Sequence, residues 1–266
     1  MQPLSAYIEG IGLLGPGFPD WPAAVPQLLD PDSYRPEPTV IPLPEGLPSA
    51  ERRRLGQVVK LALAVAFQAC AAARRDPASL PSVFSSSGGD GHNCHEICEN
   101  LTQADPRISP TRFHNSVHNA ASGYWGIATG ATTPSNALCA FDASFAAGLL
   151  EAYTQLMHER APVLLVAYDA QYPPPLFEKR PIPDAFAVAM VLGADITPGA
   201  LARVSISLAT RPADIMANSR LEELRRAIPA ARCLPLLYSL ARRKSAAVAL
   251  EYLDGATLSA EITPCP

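Results

Sequence analysis

Hydrophobic and polar positions fall into two kinds of segment along this chain, and they predict strands and helices. Residues 5–14 alternate apolar and small side chains as a short strand does, and Gly15-Pro16-Gly17 ends the segment. Residues 162–169 and 186–192 are continuous apolar runs, which are typical of strands buried on both faces. Asp254-Gly255 separates two apolar segments, 246–253 and 256–263, and predicts a hairpin between them.

The helical segments lie between these strands. Apolar residues at three- and four-residue spacing predict a helix over 49–75, with Ser49 as its cap, and further helices over 121–127 and 140–158. Residues 82–85 predict one more strand, and the Ser- and Gly-rich residues 86–91 a loop. Alternation of strands and helices indicates an α/β layered fold.

Composition adds limits to this reading. Of 28 prolines in 266 residues, eleven lie in the first fifty, so residues 18–48 should form no long regular element. A net charge of −4 gives no basic surface, so neither nucleic acid nor an anionic membrane is an expected partner. Six irregularly spaced cysteines favour reduced thiols, and the N-terminus has no signal-peptide pattern, so we expect a cytoplasmic protein.

Cys139 is the first candidate for chemistry. It precedes a predicted helix, and a thiol at a helix N-terminus has a lowered pKa that favours the nucleophilic thiolate. A buried cysteine that acts as a small hydrophobic residue fits the same position. The spacing alone leaves both readings open.

Three further clusters of polar residues are candidates for binding or chemistry. The HNCHEIC segment (His92, Cys94, His95, Cys98) has metal-ligand residue types but lacks the separated second pair of a structural zinc site, so an ordinary helix is preferred and no metal is expected. Residues 85–91 lack the lysine and the spacing of a phosphate-binding loop. His114 and His118, with neighbouring asparagines, are either buried polar groups or a base.

Several segments in order resemble the β-ketoacyl synthase N-terminal-domain family of the thiolase fold. They are Gly10-Ile11-Gly12, the helix from Arg52, residues 82–90, the stretch SPTRFHNSVHNAASGYW from Ser109, and Cys139 with its helix and PVLLVAYD. The resemblance covers about residues 4–195, and the SPTRF stretch is most similar to the subfamily of aryl polyene synthesis, which is similar to chain-length factors. It implies a thiolase-like fold with a complete N-terminal half (1–195) and an abbreviated C-terminal portion (196–266) packed on the same sheet.

The resemblance also implies roles for residues. Cys139 takes the nucleophile position, where Phe141 and Asp142 replace small residues: Phe141 crowds an incoming chain and Asp142 opposes ionisation of the thiol. The family's condensation uses two histidines from the C-terminal half, and no histidine follows His158 here. The implied tunnel residues are Phe141, Ser144 and Phe145, and the implied interface residues are Phe113, His114, Asn115, Tyr124, Trp125 and Asn136, with 131–138 as the strand that pairs across the dimer.

These observations favour a ketosynthase-like subunit without independent activity and without a cofactor. It would pair with a full-length ketosynthase in the elongation of a polyketide-like or aryl polyene chain on an acyl carrier protein. A stand-alone acyltransferase or thioesterase that uses Cys139, with His114 or His118 as base, is the alternative. A metal-dependent module built on residues 92–98 is the third hypothesis.

Overall fold

The computed structural model describes residues 3–44 and 46–266. Within them the strands form one mixed sheet in the order β3-β2-β4-β5-β1-β6-β8-β7. The strands are β1 (Leu4–Leu14), β2 (Ser82–Ser85), β3 (Ser135–Leu138), β4 (Val163–Asp169), β5 (Phe186–Gly193), β6 (Ala202–Ala209), β7 (Ala246–Leu253) and β8 (Ala256–Pro264). β2 is parallel to β3 and β4, whereas every other neighbouring pair is antiparallel.

Helices cover both faces of this sheet. They are α1 (Trp21–Leu29), α2 (Ser49–Arg54), α3 (Gln57–Ala73), α4 (Gly91–Leu101), α5 (Pro110–His114), α6 (Ala120–Thr129), α7 (Ser144–Glu159), α8 (Pro174–Phe177), α9 (Ser219–Ala227) and α10 (Leu234–Ala241). Short 3₁₀ turns occupy Pro31–Ser33, Pro77–Ser79, Phe141–Ala143 and Pro229–Cys233.

Two hydrophobic cores lie on opposite faces of the sheet. Successive residues of β4 alternate between them: Leu165 packs with α7, and Val166 packs with α3 and α6. Because both faces of the central strands are covered, the runs predicted as doubly buried strands are correct. The predicted strand at 5–14 and the hairpin at Asp254-Gly255 are also confirmed.

The helix predicted over 49–75 is interrupted. Leu55 and Gly56 have extended backbones between α2 and α3, and the Asp90 carboxylate packs against Gly56 where a β-carbon would lie. Ser49 is also not the cap, because Pro48 precedes the helix and no side chain caps it. The buried side chain of Leu55 and the close approach of Asp90 account for the break.

The proline-rich N-terminal segment is more regular than predicted. α1 forms there because the Asp20 carboxylate accepts a hydrogen bond from the Ala23 N–H at 2.7 Å, and Pro22 occupies the first turn, where its missing N–H costs nothing. The chain from Arg35 to Pro44 contains no helix or strand, as the prolines indicate.

Candidate functional site

Cys139 lies directly after β3 and is exposed, so the reading of a buried hydrophobic cysteine is wrong. Its Sγ–H donates a hydrogen bond to the Ser87 carbonyl oxygen at 3.1 Å. The following helix, α7, begins only at Ser144, after the turn Phe141–Ala143. Four residues, three of them in the 3₁₀ turn, therefore separate Cys139 from the first residue of α7.

The turn after Cys139 has an unusual backbone. Phe141 has φ +52°, a left-handed conformation that bulky residues rarely adopt. The Ser144 hydroxyl holds this turn, because its Oγ accepts a hydrogen bond from the Ala140 N–H at 3.0 Å and donates one to the Phe141 carbonyl at 2.7 Å. The Phe141 side chain is 63% exposed.

Asp142 is neutralised by two arginines. Arg180 Nη2 donates to Asp142 Oδ1 at 2.5 Å, and Arg232 Nη2 donates to Asp142 Oδ2 at 3.0 Å. Burial lowers the pKa of the Arg232 guanidinium, and the charge of Asp142 opposes that shift. The charge of Asp142, which was expected to oppose ionisation of the Cys139 thiol, is thus compensated within the chain by two arginines.

Asp169 connects the thiol's surroundings to the C-terminal part of the chain. Its buried carboxylate accepts hydrogen bonds from the Ser87 N–H at 2.9 Å, the Ser87 hydroxyl at 2.6 Å and the Ala230 N–H at 2.9 Å. Burial raises the pKa of Asp169 to about 6, although these hydrogen bonds lower it. The segment that accepts the Cys139 hydrogen bond is thus anchored by a buried acid.

This carboxylate gives the fold a defined pH dependence. Between its ordinary pKa of 3.8 and its folded value of about 6, the folded state holds a proton that the unfolded chain has released. The contribution of Asp169 to stability is therefore largest below about pH 4 and falls as pH rises through 6. Between pH 5 and pH 7, we expect the free energy of unfolding of the wild type to fall by about 1.4 kcal/mol more than that of Asp169→Asn.

Urea unfolding at the two pH values measures this difference. The ¹³C shift of the Asp169 carboxyl group in the wild type should titrate near pH 6. An equal pH dependence in both proteins, or a carboxyl group that titrates near pH 4, would contradict the prediction.

Not all predicted interface residues reach the surface. Phe113, His114 and Asn136 are exposed, and the Asn136 amide donates to Glu151 Oε1 at 2.7 Å. Tyr124 and Trp125 are buried in the chain's own core. Asn115 is also buried; its amide donates to the Arg54 carbonyl at 2.8 Å and its Oδ1 accepts from the Tyr124 hydroxyl. The buried side chains of Asn115, Tyr124 and Trp125 therefore support the surface from beneath, but they expose no area to a partner.

The predicted tunnel residues separate in the same way. Ser144 and Phe145 are buried between α7 and the sheet, and Phe145 belongs to a hydrophobic core. Only Phe141 of this group is exposed. Two clefts of about 540 Å³ each have Phe141 in their walls, so it is the tunnel candidate that retains access to space.

The other histidines and cysteines lie apart from Cys139 or pair with neighbouring groups. On α4, His92 Nε2 lies 3.5 Å from Glu96 Oε1, one helical turn later. His95 Nε2 likewise lies 3.3 Å from Glu99 Oε1. Among the described residues, no group of three potential ligands is close enough to hold a metal ion. His118 Nε2 lies 3.3 Å from the Ser86 carbonyl oxygen, whereas His114 packs edge-on against Tyr124.

β3 forms one edge of the sheet. Its only strand neighbour in the described ranges is β2, and the Pro134 and Leu138 carbonyls accept hydrogen bonds from Ser82 and Ser86. Because successive residues of a strand point their N–H and C=O groups to opposite sides, the backbone groups of Ser135 and Ala137 point away from the sheet. This edge, next to Cys139, is free to pair with another strand.

Sequence reasoning missed Asp169, Arg180 and Arg232. Asp169 carried a signal, since it is an acid at the end of a strand that is otherwise apolar. Arg180 and Arg232 had none, because they are 38 and 90 residues from Asp142 along the chain.

Comparison with solved structures identifies the fold. The chain is similar to a chain in the complex of a ketosynthase (ApeO) with its chain length factor (ApeC) from Xenorhabdus doucetiae, with TM-score 0.73 and 22% identity over 97% of this chain and 99% of that chain. The ishigamide ketosynthase/chain length factor gives TM-score 0.74 and 14% identity over 98% and 100% of the two chains. A type II polyketide ketosynthase complex with its acyl-carrier protein (AntDE:AntF) gives 0.74 and 11% over 100% of both. At these identities the likeness establishes the fold alone, which is the thiolase-like ketosynthase fold.

Two further findings concern membrane-spanning helices and similarity to curated proteins. No helix in 3–44 or 46–266 is long and apolar enough to cross a membrane. The comparison with curated proteins found no match.

The sequence family described as the N-terminal domain of β-ketoacyl synthase matches residues 29–248, which is further toward the C-terminus than the motifs extend. Since this match spans most of the chain, the protein belongs to the β-ketoacyl synthase N-terminal-domain family.

Proposed function

We propose that this chain is a chain-length-factor-type subunit that pairs with a full-length ketosynthase. Chain elongation then takes place on an acyl carrier protein, for a polyketide-like or aryl polyene product, with the partner's cysteine and histidines doing the condensation. Residues 1–195 supply the ketosynthase-like N-terminal half, and residues 196–266 form the abbreviated C-terminal portion packed on the same sheet. The observation that carries the proposal is the open edge of β3 beside an exposed Cys139.

The placement of the histidines supports a role without independent condensation. Decarboxylative condensation needs two donors aimed at the thioester oxygen, and no histidine follows His158. His92 and His95 lie beside glutamates on α4, and His158 is at the end of α7. His118 approaches the segment that contacts the thiol, with its Nε2 3.3 Å from the Ser86 carbonyl oxygen.

Exposed apolar side chains in the chain segment that precedes β3 support a protein partner. Phe113, Val117 and Ile127 belong to the segment that leads into β3, and each is more than half exposed. Large apolar side chains that are exposed in one part of a surface mark protein interfaces. Together with the unpaired backbone groups of Ser135 and Ala137, they fit a partner that adds a strand to this edge.

Ala137→Pro tests the proposed pairing. Proline removes the outward-facing N–H of Ala137, and its ring occupies the space of a partner strand, while no hydrogen bond to β2 is lost. We expect the affinity for the co-expressed ketosynthase to fall by about 1.5–3 kcal/mol, roughly 10- to 100-fold in Kd, measured by calorimetry.

The matched control is Ala247→Pro on β7, at the opposite edge of the sheet. The Ala249 N–H and carbonyl both bond to Asp214, away from β8, so the N–H of Ala247 two residues earlier also points outward. This variant should bind the ketosynthase as the wild type does. Wild-type protein that elutes separately from the ketosynthase at micromolar concentration would refute the proposal.

A stand-alone acyltransferase or thioesterase is the second candidate function. Two observations favour it. Cys139 is exposed, and His118 contacts the Ser86 carbonyl oxygen while Cys139 contacts that of the adjacent Ser87. Stoichiometric acylation of Cys139, located by peptide mass spectrometry, would support it. Full pathway activity in Cys139→Ala would exclude it.

A further inference from the structure

Phe141 is held in a strained conformation by more than its own turn. A left-handed backbone at a bulky residue is strained and persists only where surrounding contacts impose it. The hydrogen bonds of Ser144 restrain the backbone at Ala140 and Phe141, but they do not determine where the ring lies. The ring direction therefore needs another contact.

Arg180 provides that contact. Its guanidinium carbon lies 3.7 Å from the centre of the Phe141 ring, within the range of a cation–π interaction. The same guanidinium donates to Asp142 Oδ1 at 2.5 Å, so one side chain holds two consecutive residues of the turn. The Arg180 N–H donates to the Leu176 carbonyl at 2.9 Å, which anchors the arginine to α8.

The opposite oxygen of Asp142 is tied to the C-terminal hairpin. Arg232 Nη2 donates to Asp142 Oδ2 at 3.0 Å, and Arg232 Nη1 pairs with Glu251 on β7. Arg225 bonds the same glutamate at 2.8 Å. Alternating charges thus connect the turn after Cys139 to β7 on one side and to α8 on the other.

The turn separates two clefts. Arg180 and Arg226 line one cleft of about 540 Å³, and Arg232 and Glu251 line another of about 540 Å³. Phe141 and Asp142 are the residues that the two linings share. A different position of the Phe141 ring would therefore change the shape of both clefts.

We infer that Arg180 is a positioning residue that holds Phe141 as the partition between these clefts, and so limits the space that the two clefts offer to an acyl chain. The limit on an acyl chain rests on the proposed function. The hold of Arg180 on the ring does not, and it can be measured in the free chain.

The first experiment places 4-fluorophenylalanine at position 141 of the full chain and records its ¹⁹F resonance. Arg180→Met keeps an unbranched side chain, though a shorter one, and removes both the charge over the ring and the bond to Asp142. We expect the resonance to shift toward that of free 4-fluorophenylalanine and to narrow. In the control variant Arg226→Met the ¹⁹F resonance should not move. That substitution alters the same cleft but removes no described contact with Phe141.

Arg180→Lys separates positioning from stability. Lysine keeps a positive charge for Asp142 but has no planar group to lie on the ring. It should retain the wild-type thermal midpoint while its ¹⁹F resonance shifts. An unchanged resonance in both Arg180 variants would overturn the inference, whatever the partner experiments show.

The second experiment measures product length in the complex with the ketosynthase. Phe141→Ala is expected to lengthen or broaden the product distribution, and Arg180→Met to shift it in the same direction with unchanged affinity for the ketosynthase. A shift in Phe141→Ala without one in Arg180→Met would overturn the inference and leave the proposed function standing. Absence of a complex with wild type would refute the proposed function, and the ¹⁹F result would still decide the role of Arg180.

Discussion

Replacing Arg75 with alanine should destabilise the protein by about 2–4 kcal/mol, because it leaves a buried carboxylate without its partner. The Glu9 side chain is 2% exposed in the middle of β1. Arg75 Nε donates to Glu9 Oε2 at 2.7 Å and Nη2 donates to Oε1 at 2.8 Å. Thr197 adds only a longer hydrogen bond, at 3.3 Å.

The magnitude follows from how deeply each partner is buried. Breaking a fully buried ion pair costs about 3–5 kcal/mol. Arg75 is 34% exposed, so water can reach part of the vacated space and the expected cost is lower. Urea unfolding at pH 7 measures the loss.

Two controls identify its cause. Arg74→Ala removes an exposed arginine at the adjacent position, and it should change stability by less than about 0.5 kcal/mol. The double variant Glu9→Leu/Arg75→Leu removes both charges, and it should be more stable than Arg75→Ala. A double variant no more stable than Arg75→Ala would show that packing, and not the unpaired carboxylate, sets the cost.

Gly12→Ala should destabilise the fold by about 3 kcal/mol or more, at the upper end of the range for an overpacked core. A β-carbon at Gly12 would lie 2.9 Å from the Ala69 backbone nitrogen and closer still to the Val65 carbonyl oxygen. Both are backbone atoms of α3, which cannot move aside as a flexible side chain can. The helix would have to shift away from β1, and with it the core on that face of the sheet.

The matched control is Gly123→Ala, in the interior of α6. No atom lies within 4 Å of the added methyl group there. Alanine is the better helix former, so this variant should gain about 0.5–1 kcal/mol. A Gly12→Ala protein with the wild-type thermal midpoint would show that β1 and α3 are not packed as closely as described.

Local patterns predicted most of the elements correctly because local physics determines them. Apolar runs such as Val163–Asp169 are strands where both faces are covered, and the backbone preferences of Asp254-Gly255 favour a tight turn between adjacent segments. The errors lie where a distant residue intervened. Asp90 packs against Gly56 and divides the helix predicted over 49–75, and the side chain of Asp20 caps a helix among prolines.

The candidate site shows the same division. Sequence motifs pointed to Cys139, Phe141 and the strand before them, and the structure places all three together at one edge of the sheet. Motifs did not reveal that Tyr124 and Trp125 are core residues, because aromatic side chains suit an interface and an interior equally well.

The sequence by itself determined the family, the central strands β1, β4 and β5 with the C-terminal hairpin, and the absence of a histidine after position 158. These are properties of composition and of contacts between residues near one another in the chain. Only the tertiary structure decided that Cys139 is exposed, that Asp142 is neutralised and that Phe141 is held in its strained turn. Arg180 and Arg232 reach Asp142 from 38 and 90 residues away, and no local pattern specifies which of the 21 basic residues will be folded against it.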